Sequence, residues 1–229
     1  MIAEIVNPTI PQIKEGVTHV ACVGDSITFG YGVWATEMTK EHTYPSYLER
    51  MMGDGYQALN YGVCGKTLLK EGDEPYMSHC MYDESIRANS EIYIIMLGSN
   101  DSKWNNWDAE RFGPELRDFV QTYIDLDSAP KVCLATPPRV FWEGERGFGV
   151  SNGTIESEIA PIVRSVAKDM GIPLIDMYEK TKDHPEWFVD GIHPNATGNE
   201  ELAKVFAACL AGEETHRLHL RCDSWLART

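Results

Sequence analysis

Apolar residues along this chain follow two rhythms. Short runs rich in β-branched side chains occupy 19–23, 57–61, 92–97, 131–135 and 172–175, and each is predicted to be a strand. The run Ile92-Tyr93-Ile94-Ile95-Met96-Leu97 is apolar without alternation, as expected of a strand covered on both faces, so it is placed at the centre of the sheet. Between the runs, apolar positions recur every three or four residues, which predicts helices over 44–52, 110–124 and 154–170 and a last one from near Asn195 to about Leu210. In the third of these, Ile155, Ile159, Ile162, Val163, Val166 and Met170 share a face, and Pro161 should kink the helix or mark its true start. In the last, Leu202, Val205, Phe206 and Cys209 form the buried stripe.

Strands alternating with helices, joined by right-handed crossovers, predict an α/β fold: a three-layer α/β/α sandwich around a five-stranded parallel sheet. In such sheets ligands bind beyond the carboxyl ends of the strands, so chemistry is sought in the segments that follow them. The 229 residues, 43% of them apolar, suit one domain with one sizeable core. Residues 213–229 carry Leu218, Leu220, Trp225 and Leu226 among charges. They read as a C-terminal extension that packs on the body or on a second subunit, which leaves a homo-oligomer open.

Charge narrows the partners. A formal charge of -15 and a pI near 4.8 oppose binding to polyanions, because a nucleic-acid binder needs a concentrated basic face. Nucleic acid and membrane are therefore excluded as expected partners. No apolar stretch approaches the roughly 18–20 residues that span a bilayer, and the first residues lack the pattern of a secretion signal, so the chain reads as soluble and cytoplasmic. Six widely spaced cysteines, at 22, 64, 80, 133, 209 and 222, read as free thiols, and no Cys/His grouping has metal-site spacing. Neither a metal nor another cofactor is expected.

Four blocks follow the strands. After the first comes Gly24-Asp25-Ser26-Ile27, where a glycine permits a sharp exit and places a serine in the next turn, either as a nucleophile or as a plain capping residue. The second, NYGVCGKT from Asn60 to Thr67, ends like a phosphate loop but has Asn60 where that motif requires glycine. Its Gly65 suits close approach of a backbone N–H to a ligand, or a simple turn. The third, Gly98-Ser99-Asn100-Asp101, brings an asparagine amide out of the sheet centre, as a neutral donor or as a turn residue. The fourth, Asp190-Gly191-Ile192-His193-Pro194, sets a carboxylate one turn before an imidazole it can orient. Singly, each block has an ordinary structural explanation.

Taken in order, GDSI, NYGVCGKT, LGSND and DGIHPN resemble the blocks of the SGNH hydrolase superfamily, the GDSL-type esterases, with isoleucine at 27 in place of leucine. The resemblance spans residues 20–198. It implies Ser26 as nucleophile, His193 as its base and Asp190 as the orienting acid, with an oxyanion hole from the Ser26 and Gly65 N–H groups and the Asn100 side chain. It also implies acyl-ester hydrolysis without a cofactor.

The flanking text NYGVCGKTLLKEGDEPY and LGSNDSKWNNW further resembles a bacterial subgroup described as sialate O-acetylesterase-like or acetylxylan-esterase-like. That points to O-acetyl groups on carbohydrates, with an oligosaccharide or small-molecule ester as partner. A thioesterase or lysophospholipase taking longer acyl chains is the alternative within the superfamily, and a flavodoxin-like phosphate or nucleotide binder the alternative outside it. Trp34, Trp104, Trp107, Trp142 and Trp187 all fall in segments after strands, where they suit either a sugar-stacking platform or the anchoring of loops. Arg139 and Arg146 offer a partner for a sugar carboxylate, or are simply solvated.

Overall fold

The computed structural model describes residues 8–142 and 148–212. Five parallel strands form one sheet: β1 (Thr18–Gly24), β2 (Tyr56–Gly62), β3 (Ile92–Met96), β4 (Lys131–Ala135) and β5 (Leu174–Ile175), in the order β2-β1-β3-β4-β5. The helices in chain order are α1 (Ser26–Phe29), α2 (Tyr31–Glu37), α3 (Tyr44–Met52), α4 (Cys80–Arg87), α5 (Ala109–Ile124), α6 (Asn152–Thr154), α7 (Ala160–Met170), α8 (Met177–Thr181) and α9 (Ala196–Leu210).

Strand alternation divides the core into two layers. Val20 and Cys22 of β1, Ile94 and Met96 of β3 and Cys133 of β4 pack against Tyr44 and Leu48 of α3 and Leu202 and Phe206 of α9. Their neighbours Ala21, Val23, Tyr93 and Ile95 face the opposite layer, with Phe112, Leu116 and Phe119 of α5 and Val163 and Val166 of α7. β3 is central and buried on both faces, as its unbroken apolar run predicts.

Two elements depart from the sequence expectation for identifiable reasons. The fifth strand is only Leu174–Ile175, because the Ile172 N–H turns back to the Ala167 carbonyl at 3.0 Å and closes the end of α7 instead of joining the sheet. The helix expected over 154–170 is interrupted by a π turn, Ile155–Ile159, before α7 begins. Pro161 lies in the first turn of α7, where its missing N–H costs nothing, and the Ala160 N–H reaches back to Ile155 O across the wider turn.

Helices α1, α2, α4 and α8 were not anticipated. The four residues of α1 are buried all round and so carry no helical period, while α4 buries only Met81 and Ser85 completely. The proposed extension at 213–229 lies outside the described residues.

Candidate active site

The site is assembled at the carboxyl ends of β1, β2 and β3, joined by the loop that precedes α9. At the end of β1, Gly24 lets the chain turn against its neighbours, since a β-carbon there would lie 2.2 Å from Thr28 Oγ1 and 2.6 Å from Met96 O. Asp25 caps α1 by accepting the Ile27 N–H at 2.9 Å. Ser26 is thus the first residue of α1, with an N–H that the helix itself leaves free.

The histidine loop is a tight reversal. The Val189 N–H donates to His193 O at 3.0 Å and the Asn195 N–H to Trp187 O at 2.8 Å, after which Asn195 caps α9 by accepting from Gly198 N–H. Inside the turn, Asp190 Oδ1 accepts the Ile192 and His193 N–H groups at 3.0 and 2.8 Å, while Oδ2 lies 2.6 Å from His193 Nδ1. Facing a carboxylate, Nδ1 carries the proton, so Nε2 presents its lone pair. That lone pair meets the Ser26 hydroxyl at 2.9 Å. The three side chains form one hydrogen-bonded series, and Ser26 and His193 are buried.

The ionisation of this series follows from its contacts. Burial alone would push the Asp190 carboxyl up, but the His193 ring and the two backbone N–H groups outweigh it and hold it below the usual carboxylate range. Asp190 is therefore ionised wherever the histidine works. Asp25 is the opposite case: burial raises it, and its Oδ2 has no hydrogen-bond partner among the described residues.

Facing Ser26 across a cavity of about 220 Å³ are Gly65, Ser99 and Asn100. Gly65 has φ +79°, the left-handed region, which turns the loop after β2 along the cavity wall. Asn100 Nδ2 uses one hydrogen on Lys66 O at 3.1 Å, leaving the other for a ligand.

Two residues that the sequence reading passed over hold these donors in place. Asp101 accepts the Leu68 and Leu69 N–H groups at 3.0 and 2.8 Å, and Asn106 Nδ2 donates to Asn100 O at 3.0 Å and Asp73 Oδ1 at 2.8 Å. Both stand within the quoted third block and its flank, but only the fold shows what they bind. Lys66 and Thr67, the remnant of a phosphate-loop pattern, are engaged elsewhere, with Glu74 Oε2 at 2.6 Å and Leu69 O at 3.0 Å.

The aromatic walls are not the expected ones. Tyr31 and Phe148 line the cavity beside His193, at ring separations of 4.7 and 5.7 Å, and neither was singled out from the sequence. None of the five tryptophans lines it. Trp34 stands one ring away, 6.0 Å from Tyr31, and Trp142 lies over Gly191 beside Asp190. Trp107 packs on Phe112 and donates to Glu158 at 3.0 Å, Trp187 stacks on His184 at 3.8 Å, and Trp104 is 90% exposed. Anchoring of loops accounts for Trp107 and Trp187, and the sequence had no means of telling a loop anchor from a site wall.

Arg139 lies under Phe141, outside the cavity lining, and Arg146 lies outside the described residues. Cys64 does line the cavity, yet burial pushes its thiol up to about 12 and the His193 lone pair is already occupied by Ser26. Among the described residues no three His, Cys, Asp or Glu side chains gather to hold a metal ion, and no helix is long and apolar enough to cross a membrane.

A parallel sheet between two helical layers, with a hydrogen-bonded serine, histidine and aspartate at the carboxyl ends of its strands, has a geometry suited to acyl transfer. The chain belongs to the GDSL-like lipase/acylhydrolase family, whose model matches residues 22–201. It is 33% identical over 224 residues to an acetylxylan esterase of Xylanibacter ruminicola, covering 88% of this chain and 45% of that protein. It is also 26% identical over 213 residues to a multidomain esterase of Ruminococcus flavefaciens, covering 87% of this chain and 25% of that one. The chain thus spans less than half the length of these curated relatives. Among solved structures, a carbohydrate acetylesterase family member from Sinorhizobium meliloti superimposes with a TM-score of 0.71 at 20% identity, covering 86% of this chain and 99% of that one, a likeness of fold.

Proposed function

We propose that this chain is a serine esterase that removes short acyl groups, foremost acetyl, from carbohydrate esters. The observation that carries the reading is the series Asp190–His193–Ser26, with contacts of 2.6 and 2.9 Å, opening onto a cavity bordered by Gly65 and Asn100. His193 Nε2 takes the Ser26 proton as Oγ attacks the ester carbonyl. Asp190, ionised, holds the ring in the tautomer this needs and stabilises the imidazolium that forms. Negative charge gathering on the carbonyl oxygen is met by the N–H groups of Ser26 and Gly65 and by the free Asn100 amide hydrogen. His193 then returns its proton to the departing alkoxide, the sugar leaves, and water repeats the sequence on the acyl-enzyme.

Cavity size favours a short acyl group. About 220 Å³ is less than the roughly 300–1,000 Å³ typical of sites that enclose drug-sized ligands, which argues against a long aliphatic chain. Tyr31 and Phe148 supply the ring faces for a sugar that the tryptophans were expected to supply. The names of two relatives, an acetylxylan esterase and a carbohydrate acetylesterase family member, support the same substrate class.

The test is acetate release from acetylated xylo-oligosaccharide together with a p-nitrophenyl ester series from two to twelve carbons, using wild type and Ser26→Ala. The expected result is activity falling steeply beyond acetate and loss of more than about 10⁴-fold in the alanine variant. A maximum near eight carbons would replace the deacetylase reading with that of a thioesterase or lysophospholipase. Residual activity of more than about one percent in Ser26→Ala would remove the serine mechanism itself.

A further inference from the structure

One basic side chain in the cavity's described lining plays no part in the proposed chemistry. Lys103 follows the 3-10 turn Asn100–Ser102 and is the one lysine or arginine in the cavity's described lining. Its stem runs along Gly149, and the side chain is only 16% exposed. Burial of a long cationic side chain to this degree is ordinarily accompanied by a close acceptor. Here Lys103 forms an ion pair with Asp73, but Oδ2 stands 3.6 Å from Nζ, beyond hydrogen-bond reach, and Asp73 Oδ1 is already bound by Asn106 at 2.8 Å. The ammonium makes no hydrogen bond among the described residues, so its donors are left to a ligand.

The setting makes that ligand anionic. The chain as a whole carries -15 and repels anions, so a mostly buried basic side chain in the described lining of the cavity makes this place the exception. Asp73 offsets the charge without hydrogen-bonding it, whereas a carboxylate on the ligand makes charge-assisted hydrogen bonds with the ammonium. We infer that Lys103, between the aromatic walls Tyr31 and Phe148 and the Asn100 turn, forms a subsite for a carboxylate carried by the ester substrate. This inference rests on the esterase reading above. The carboxylate has two chemical sources, an acidic sugar such as a uronic acid bearing the acetyl group, or a dicarboxylic acyl group such as a hemisuccinate.

Three esters separate these sources: an O-acetylated methyl glucuronoside, its uncharged glucuronamide twin, and the hemisuccinate ester of methyl xyloside set against the acetate. Wild type, Lys103→Met and Lys103→Arg are compared as ratios of kcat/KM, charged over uncharged, so that any general loss in a variant cancels. Wild type is expected to prefer one charged ester by about 10- to 100-fold, the range of a hydrogen bond to a charged group. In Lys103→Met the ratio should fall to near one, and Lys103→Arg should keep most of it. The wild-type preference should also shrink as sodium chloride rises from 50 to 500 mM, a check that needs no variant. Ratios near one for both charged esters in wild type, or a preference that survives in Lys103→Met, overturn the carboxylate subsite. Hydrolysis of p-nitrophenyl acetate without hydrolysis of any sugar ester would instead fail the carbohydrate reading, and that result is read separately.

Discussion

At the scale of single residues, the proposed mechanism separates groups that act in the transition state from groups that hold them. Asn100 offers one amide hydrogen to the cavity while the other binds Lys66 O, so on that mechanism Asn100→Ala removes a donor aimed at the developing oxyanion. Turnover should fall about 10²- to 10³-fold, roughly 3–4 kcal/mol of barrier, with KM nearly unchanged. A variant with normal kcat and raised KM would make Asn100 a ground-state contact. Asp190→Asn substitutes an amide for the acceptor that fixes the His193 tautomer, and kcat should fall about 10⁴-fold while the melting temperature moves little. Retained activity there would show that the 2.6 Å contact does not govern the ring.

At the scale of elements, the histidine loop is positioned by three helices, two of which are joined to it by one buried asparagine. Asn199 of α9 accepts the Tyr44 N–H of α3 at 2.8 Å and donates to Pro194 O and Asn195 O at 2.9 and 3.0 Å. Gly32 of α2 packs so closely on Pro194 that a β-carbon would come within 2.3 Å of its carbonyl oxygen. Asn199→Ala leaves a buried N–H and carbonyl unpaired and should cost about 2–3 kcal/mol in denaturant unfolding, with activity falling as the loop loosens. An unchanged unfolding midpoint would make those bonds incidental.

At the scale of the whole molecule, two carboxylates in and beside the site shape stability against pH in opposite senses. Asp190 is held below its ordinary value, so its contribution is present above the unfolded value of about 3.9 and is lost as pH falls through the folded one. Asp101 is pushed up to about 7 by burial, against the opposing pull of the Leu69 and Leu68 N–H groups. The folded state therefore binds its proton more tightly than the unfolded chain, and this group lowers stability as pH rises from about 4 to about 7. The melting temperature at pH 5 minus that at pH 7.5 should be larger in wild type than in Asp101→Asn. The lost hydrogen bond and the general charge repulsion of the chain appear at both pH values or in both proteins, so the comparison isolates the titration. Equal differences in the two proteins would mean that Asp101 does not titrate in this range.

The sequence by itself determined the layers and the place of the site. A buried parallel strand reads as an unbroken apolar run and an amphipathic helix as a three-to-four repeat, which is why β3, β4, α3, α5 and α9 were legible to within a residue or so. Residues within one block act on one another over a turn, so spacing offered Asp190 and His193 as a pair, which the order of the four blocks then made specific. What only tertiary structure decided is what depends on contact between distant segments. Ser26 and His193 meet across 167 residues, Asp101 and Asn106 tie the Asn100 turn to a loop some thirty residues earlier, and Tyr31, Lys103 and Phe148 come from three separate segments to line one cavity. Conversely, five tryptophans placed after strand ends do not line it. Position after a strand sets the edge of the sheet at which a side chain emerges, whereas the direction it then faces is set by the packing of the loop, a non-local quantity that no periodicity encodes.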